Sequence, residues 1–393
     1  MTDPTSKSNA GRGSPSQRRR VFAFVAFSGA CVLGAGAYVV SLRQRLAPPA
    51  VSVGGRANAT PPVSGARSAR AAAPPGFPNN TPATGPVAAA RLATLSAVVA
   101  QPHVLFRSAR RADFGAVAAV GVTAPAGESA GSSLKCARIH FAKHRGLCLT
   151  ENQDTPHPPA RGTIVNDKLE PLFSFDLSGS PSRARMSPDA RYAASTVFEE
   201  GHDYLAEFST RTLLIDVAQG KVIANLEDFE AYKGGQRFRS TDFNYWGVTF
   251  EQDSQRFYAT LASKGRTYLV RGSIPKRRVE VLRTNVECPS LAPDGQHLAF
   301  KSREPGVEGW RLHVLELATK KEWPVTGELR SVDDQVEWLD NQHILYGIAD
   351  SRGLPERALN IWLSPIARSA GKGAPEPKAS VFIAAASSPA VVR

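Results

Sequence analysis

Acidic residues are nearly missing from the first quarter of this 393-residue chain. Residues 1–100 hold one, Asp3, against eleven lysines and arginines, so ten of the thirteen net positive charges fall there. The rest of the chain is close to neutral, which removes the broad basic surface that nucleic-acid binding needs. Also missing are a phosphate-binding glycine loop, a dinucleotide fingerprint and a zinc-protease motif, so no metal or cofactor is expected. Residues 43 to about 90 contain no acid and one aromatic, Phe77, among Ala, Pro, Gly, Ser and Arg. Such a segment cannot bury enough apolar surface to offset its ordering entropy, and a disordered stalk is expected over 43–95.

Charge is absent altogether from Val21 to Leu42, between Arg18-Arg19-Arg20 and Arg43. Twenty-two residues at helical rise cover the roughly 30 Å hydrocarbon core of a bilayer, which predicts a single transmembrane helix after a short basic cytoplasmic tail, 1–20. The alternative is a signal peptide cleaved near Ala35-Gly36-Ala37, leaving a secreted protein. In either case the body, 96–393, is expected to be exported, and with the anchor retained it stands outside the plasma (inner) membrane.

Six short apolar runs recur along that body, at His103–Phe106, Gly146–Leu149, Tyr192–Ser195, Arg256–Ala259, His297–Phe300 and His343–Tyr346. Each starts three residues after a turn anchored at 100, 143, 189, 253, 294 or 340, a period in the forties. Further β-rich runs follow at 8 to 12 residues, giving about four strands per unit. A unit of that size cannot bury its own faces, so the expected fold is all-β, a six-bladed β-propeller. Ser387–Val392 reads like Glu287–Ala292, which assigns 387–393 to the inner strand of the first blade and closes the ring. The longest spacing, between the third and fourth runs, marks an insertion over 226–245 that is expected to enter the channel mouth at Asp242.

Ser187-Pro188-Asp189-Ala190 and Ala292-Pro293-Asp294-Gly295 resemble the Pro-Asp-Gly turns of WD-like propellers of the TolB-like group. Pro presets φ and Asp-Gly favours a tight hairpin turn. The units at Asp253 and Asp340 keep only the Asp, and that at Lys143 keeps none. The resemblance implies a protein or peptide partner in the cell envelope, docking at the channel mouth, and a binding or scaffolding role.

Residues leading into the inner strands are the candidate site: Arg183, Arg185, Asp242, Asn244, Trp246, Glu287, Asp333, Asp334 and Gln335. In a propeller they would converge on one mouth of the channel. The structural alternative is that the arginines pair with neighbouring acids and hold the blades together. An enzyme reading, hydrolase or lyase, would use Asp242, Asp333, Asp334 and Glu337 as paired carboxylates. A third reading places envelope polysaccharide on exposed tryptophans, against the plainer expectation that these pack between blades. Gly127–Gly131 matches the G-x-S-x-G nucleophile elbow, but no helix follows it, and a hairpin loop is expected. Cys136, His140, His144 and Cys148 have metal-like spacing that neither helix nor hairpin geometry brings onto one ion. A hairpin centred on Ala142 would set Cys136 opposite Cys148, as a disulfide or as two buried thiols.

Overall fold

A computed structural model describes residues 95–151, 160–350, 358–367 and 378–393. The expected tail, transmembrane helix and nearly all of the linker, residues 1–94, lie outside the described residues, among which no helix is long and apolar enough to cross a membrane. Residues 95–99 are helical, with Leu95 packed among Leu105, Ile139 and Val392.

Six sheets follow one another along the chain. From the axis outward, blade 1 is Ala386–Val392, His103–Ser108, Ala116–Gly121 and Ala130–Lys135. Blade 2 is Arg138–Ala142, Arg145–Thr150, Ala160–Val165 and Pro171–Leu177, and blade 3 is Ser180–Met186, Tyr192–Glu200, Ser209–Asp216 and Lys221–Asn225. Blade 4 runs from Asn244–Phe250 through Arg256–Ser263 and Arg266–Ser273 to Arg278–Thr284. Blade 5 is Glu287–Leu291, His297–Ser302, Arg311–Glu316 and Glu322–Pro324, and blade 6 is Glu337–Trp338, His343–Asp350, Ala358–Pro365 and Ser380–Ile383. The six inner strands touch in sequence around a ring. The six apolar runs all lie in second strands, where both faces are covered and alternation gives way to continuous apolar sequence. Ala386–Val392 pairs antiparallel with His103–Ser108, so the sheet that begins the ring also contains its last strand.

The core lies between successive blades rather than inside any one. Leu147, Ile164 and Leu177 of blade 2 meet Met186, Val197 and Ile215 of blade 3, and equivalent clusters fill the other five junctions. The retained turn aspartates have a local cause. Asp189, Asp253, Asp294 and Asp340 each accept the backbone N–H two residues on, at 2.7–3.0 Å, the Asx turn that folds inner strand onto second strand. Residues after three of them, Ala190, Ser254 and Gly295, adopt positive φ.

Two expectations are corrected. The blade 2 hairpin turns at Lys143-His144, with Ala142 opposite Arg145, so His140 faces Leu147 rather than His144, and Cys148 faces Ile139. Cys136 lies before the strand, in an irregular segment that brings its sulfur into a bond with Cys148. The blade 4 insertion does not feed the channel. Glu230–Lys233 adds in parallel to Arg278–Thr284, and Gln236–Phe238 adds beyond it, making blade 4 six-stranded at its outer edge.

The insertion begins with a short turn, Leu226–Asp228, whose Glu227 carboxylate accepts the N–H groups of Thr212 and Tyr245. Burial pushes the Glu227 carboxyl up to about 8, against those hydrogen bonds. Its folded value lies above its ordinary one, so its contribution to stability is complete at acid pH and is lost as pH rises through about 8. Glu227→Gln keeps an acceptor for both N–H groups and should raise unfolding free energy at pH 9 by on the order of 3 kcal/mol, with little change at pH 4. Urea titrations at the two pH values check it; equal shifts at both would be inconsistent with a buried, protonated carboxyl.

Candidate functional site

Inner strands begin on one face of the ring, the entrance face, and the second strands, being antiparallel, end there. The segment from Asp333 to Glu337, leading into the inner strand of blade 6, crosses the channel at this level and bonds to most of the other blades. Asp333 accepts from Arg183 of blade 3 at 3.0 Å and from Lys301 of blade 5 at 2.6 Å, and Lys301 is 0% exposed. Asp334 lies 3.8 Å from Arg138 of blade 2 and accepts the N–H groups of Gln335 and Gly347. The Gln335 amide donates to the carbonyls of Val248 and Pro289, in blades 4 and 5. Glu337 takes the Arg185 guanidinium on Oε2 and the N–H of Val391, in the closing strand, on Oε1.

The electrostatics of this hub are compensated. Burial alone would raise both carboxyls, but Lys301 and Arg183 hold Asp333 at about 2, and Arg185 and His140 hold Glu337 at about 2. His140 accepts the Met186 N–H on Nδ1, and its Nε2 lies 2.9 Å from Arg185 Nη1 and 3.4 Å from Glu337 Oε2. Burial and the neighbouring Arg185 push its pKa down, consistent with a neutral ring. Carboxylates this strongly stabilised as anions are poor proton donors or acceptors near neutral pH.

The nine candidate residues therefore do not form one site. Arg183, Arg185, Asp333, Asp334 and Gln335 meet in the channel hub. Asp242 lies apart, accepting from Ser263 Oγ and the Lys264 N–H at 2.7 Å each and exposed to solvent. Hydrogen bonds from Ser240 and from that N–H hold Asp242 at about 2. Asn244 accepts the Thr210 N–H at 2.7 Å and ties blade 3 to blade 4. Trp246 and Glu287 belong to a third place, an off-axis cleft on the same face.

That cleft, about 500 Å³, lies over blades 3 to 5. Its floor is built by a loop after the second strand of blade 3. Asp203 Oδ1 accepts the N–H groups of Leu205 and Ala206, so the loop curls and carries Tyr204 inward. Tyr204 stacks on Trp246 with ring centroids 4.7 Å apart, Phe208 packs edge-on against both, and the Tyr204 hydroxyl bonds Ser182 Oγ. Trp246 reaches the floor through a bulge at Gly247, whose φ is +63° and whose missing Cβ would stand 2.6 Å from the Cα of Cys288. Glu287, 0% exposed, pairs through Oε1 with Arg303 Nε at 3.1 Å, and Arg303 also donates to the Tyr204 carbonyl. Arg266, exposed at the start of the third strand of blade 4, stands on the rim.

Sequence reasoning missed Arg138, His140 and Lys301 as channel residues and Tyr204, Phe208, Arg266 and Arg303 as cleft residues. Lys301 carried a signal, since a lysine in a strand core needs a buried acid. The loop residues carried none. Ser129, in the G-x-S-x-G match, sits in a loop before the outer strand of blade 1, where its hydroxyl accepts from Arg110. Trp246, Trp310, Trp338 and Trp362 are buried, and Trp323 is partly so, packing against the core between blades 5 and 6.

On the opposite face, where inner strands end, the channel opens into a basin of about 370 Å³ contributed by all six blades, with Arg393 donating to the carbonyls of Trp338 and Leu339.

No protein-family model and no curated protein sequence matches the chain. Among solved structures it is similar to TolB from Acinetobacter baumannii, at 13% identity over 80% of this chain and 74% of that one, with a TM-score of 0.49. It is also similar to a putative TolB from Agrobacterium tumefaciens, at 9% identity over 72% and 89% with a TM-score of 0.42. An oligogalacturonate lyase in complex with manganese matches at 13% identity over 67% and 77%, with a TM-score of 0.40. The propeller assignment rests on the six sheets themselves, and these likenesses are of fold, shared by proteins whose activities differ.

Proposed function

We propose that this propeller is a binding module of the cell envelope that captures a protein or peptide partner on its entrance face, held at the plasma membrane by residues 21–42 and spaced from it by the linker. The observation that carries this reading is the cleft: a preformed aromatic floor, braced by Glu287 and Arg303, opening beside a channel whose own charges are already paired. A hydrolase or lyase reading finds less support, because Asp333 and Glu337 are held at about 2 by buried cations and Asp242 is remote from both. Polysaccharide stacking finds less, because four tryptophans are buried and the fifth is partly so. The hub keeps a part in this function as the frame that fixes the entrance face.

Photo-crosslinking in cells tests it. A benzoylphenylalanine at Leu205, exposed on the cleft rim, should give a discrete adduct with an envelope protein, and one at Phe114, exposed on blade 1, should not. No adduct from Leu205, or the same adducts from both positions, would overturn the reading.

A further inference from the structure

The cleft floor holds two buried groups whose hydrogen-bonding capacity is unused. Glu287 Oε2 has no hydrogen-bond partner among the described residues, although its other oxygen is paired with Arg303. Trp246 Nε1, of a side chain lining the same cleft, likewise has none. A buried acceptor and a buried donor left unmatched are costly unless a ligand or water completes them. An extended peptide segment supplies both partners, a backbone N–H for the carboxylate oxygen and a backbone carbonyl for the indole N–H.

Charge and shape narrow the ligand further. Arg266 on the rim makes no ion pair among the described residues, and the Arg303 side chain, although paired, is 46% exposed. With the Glu287 carboxylate paired to Arg303, the unbalanced charge at the opening is positive. Phe208, half-buried and backed by the buried rings of Tyr204 and Trp246, offers aromatic surface for a ring, and exposed Leu205 extends the apolar rim. A volume of about 500 Å³ suits two or three residues, within the usual range of ligand sites.

We propose that this cleft recognises an aromatic residue within an acidic peptide segment: the ring packs against Phe208 and Leu205, the backbone N–H and carbonyl groups meet Glu287 Oε2 and the Trp246 indole, and the flanking carboxylates meet Arg266 and Arg303. This rests on the binding reading above and names the chemistry of its partner. The site is distinct from the channel hub, whose arginines are consumed by Asp333, Asp334 and Glu337.

The test is fluorescence anisotropy with the full chain and labelled peptides: one with a tryptophan among Asp and Glu, one with that tryptophan replaced by alanine, and one with the acids replaced by lysines. The acidic tryptophan peptide should bind at least about tenfold more tightly than either control, and Arg266→Glu, at an exposed position, should weaken it about tenfold. Thr267→Trp, which fills the cleft from its wall, should abolish binding while leaving the circular dichroism spectrum unchanged. Equal affinity for the three peptides, or for wild type and Arg266→Glu, would overturn the proposal. If the Leu205 adduct forms in cells while the peptides bind without preference, the ligand class is wrong and the binding reading stands; if no adduct forms, the binding reading itself fails.

Discussion

Removing residues 386–393 should abolish cooperative unfolding. All seven residues of the strand Ala386–Val392 are buried, and they are the inner strand of blade 1, paired along His103–Ser108. Ala390 and Val392 fill the junction with blade 2, and Val391 fills the junction with blade 6. Ser388 exchanges hydrogen bonds with both backbone groups of Ile139, and the Val391 N–H reaches Glu337. Without the strand, the edge of His103–Ser108 faces the channel and two junctions lose their inner layer. The valines alone account for about 2 kcal/mol each, and the open ring adds unpaired backbone, against a typical domain stability of about 5–15 kcal/mol. The truncated chain should show no sigmoidal melt by near-ultraviolet circular dichroism. A cooperative transition within a few degrees of the full chain would mean that the ring does not depend on its closing strand.

Glu337→Ala should cost about 3–5 kcal/mol, because it leaves the buried Arg185 guanidinium and the Val391 N–H without their acceptor. The acid limb of the stability profile reports the same group. Its folded value, about 2, lies below its ordinary 4.5, so its contribution is complete above pH 4.5 and is lost as pH falls toward 2. The difference corresponds to about 3 kcal/mol. His140 acts in the same direction, since a folded value below 6.5 makes protonation costly as pH falls through that range. Denaturant titrations of wild type and Glu337→Ala at pH 7 and pH 3 should therefore converge at the lower pH. A gap that stays constant, or that is below about 1 kcal/mol at pH 7, would show that the pair contributes little. Double alanine replacement of Asp333 and Asp334 belongs with this set, because it strands Lys301 and Arg183.

The blades were legible because their signals are local. A second strand buried on both faces reads as an apolar run wherever it occurs, and an aspartate that caps its own turn reads as a period. The hairpin register at Lys143-His144 was read one and a half residues early, because a loop without the Asp motif leaves the turn centre unmarked. The insertion over 226–245 was expected at the channel mouth for a related reason: an insertion's length shows in the spacing, but its landing edge depends on which strand it finds unpaired.

What the amino-acid sequence determined by itself is the repeating unit, its number, the nearly neutral body and the strongly basic first hundred residues. Only the tertiary structure decided that Arg183 meets Asp333 across 150 residues, that Glu337 binds the closing strand, and that Trp246 and Glu287 leave the channel for a cleft completed by Tyr204, Arg266 and Arg303. Strand pattern and turn chemistry act over a few residues and leave a period in the sequence. Ion pairing and cleft formation depend on the angle at which six blades meet, and no local rule records that angle.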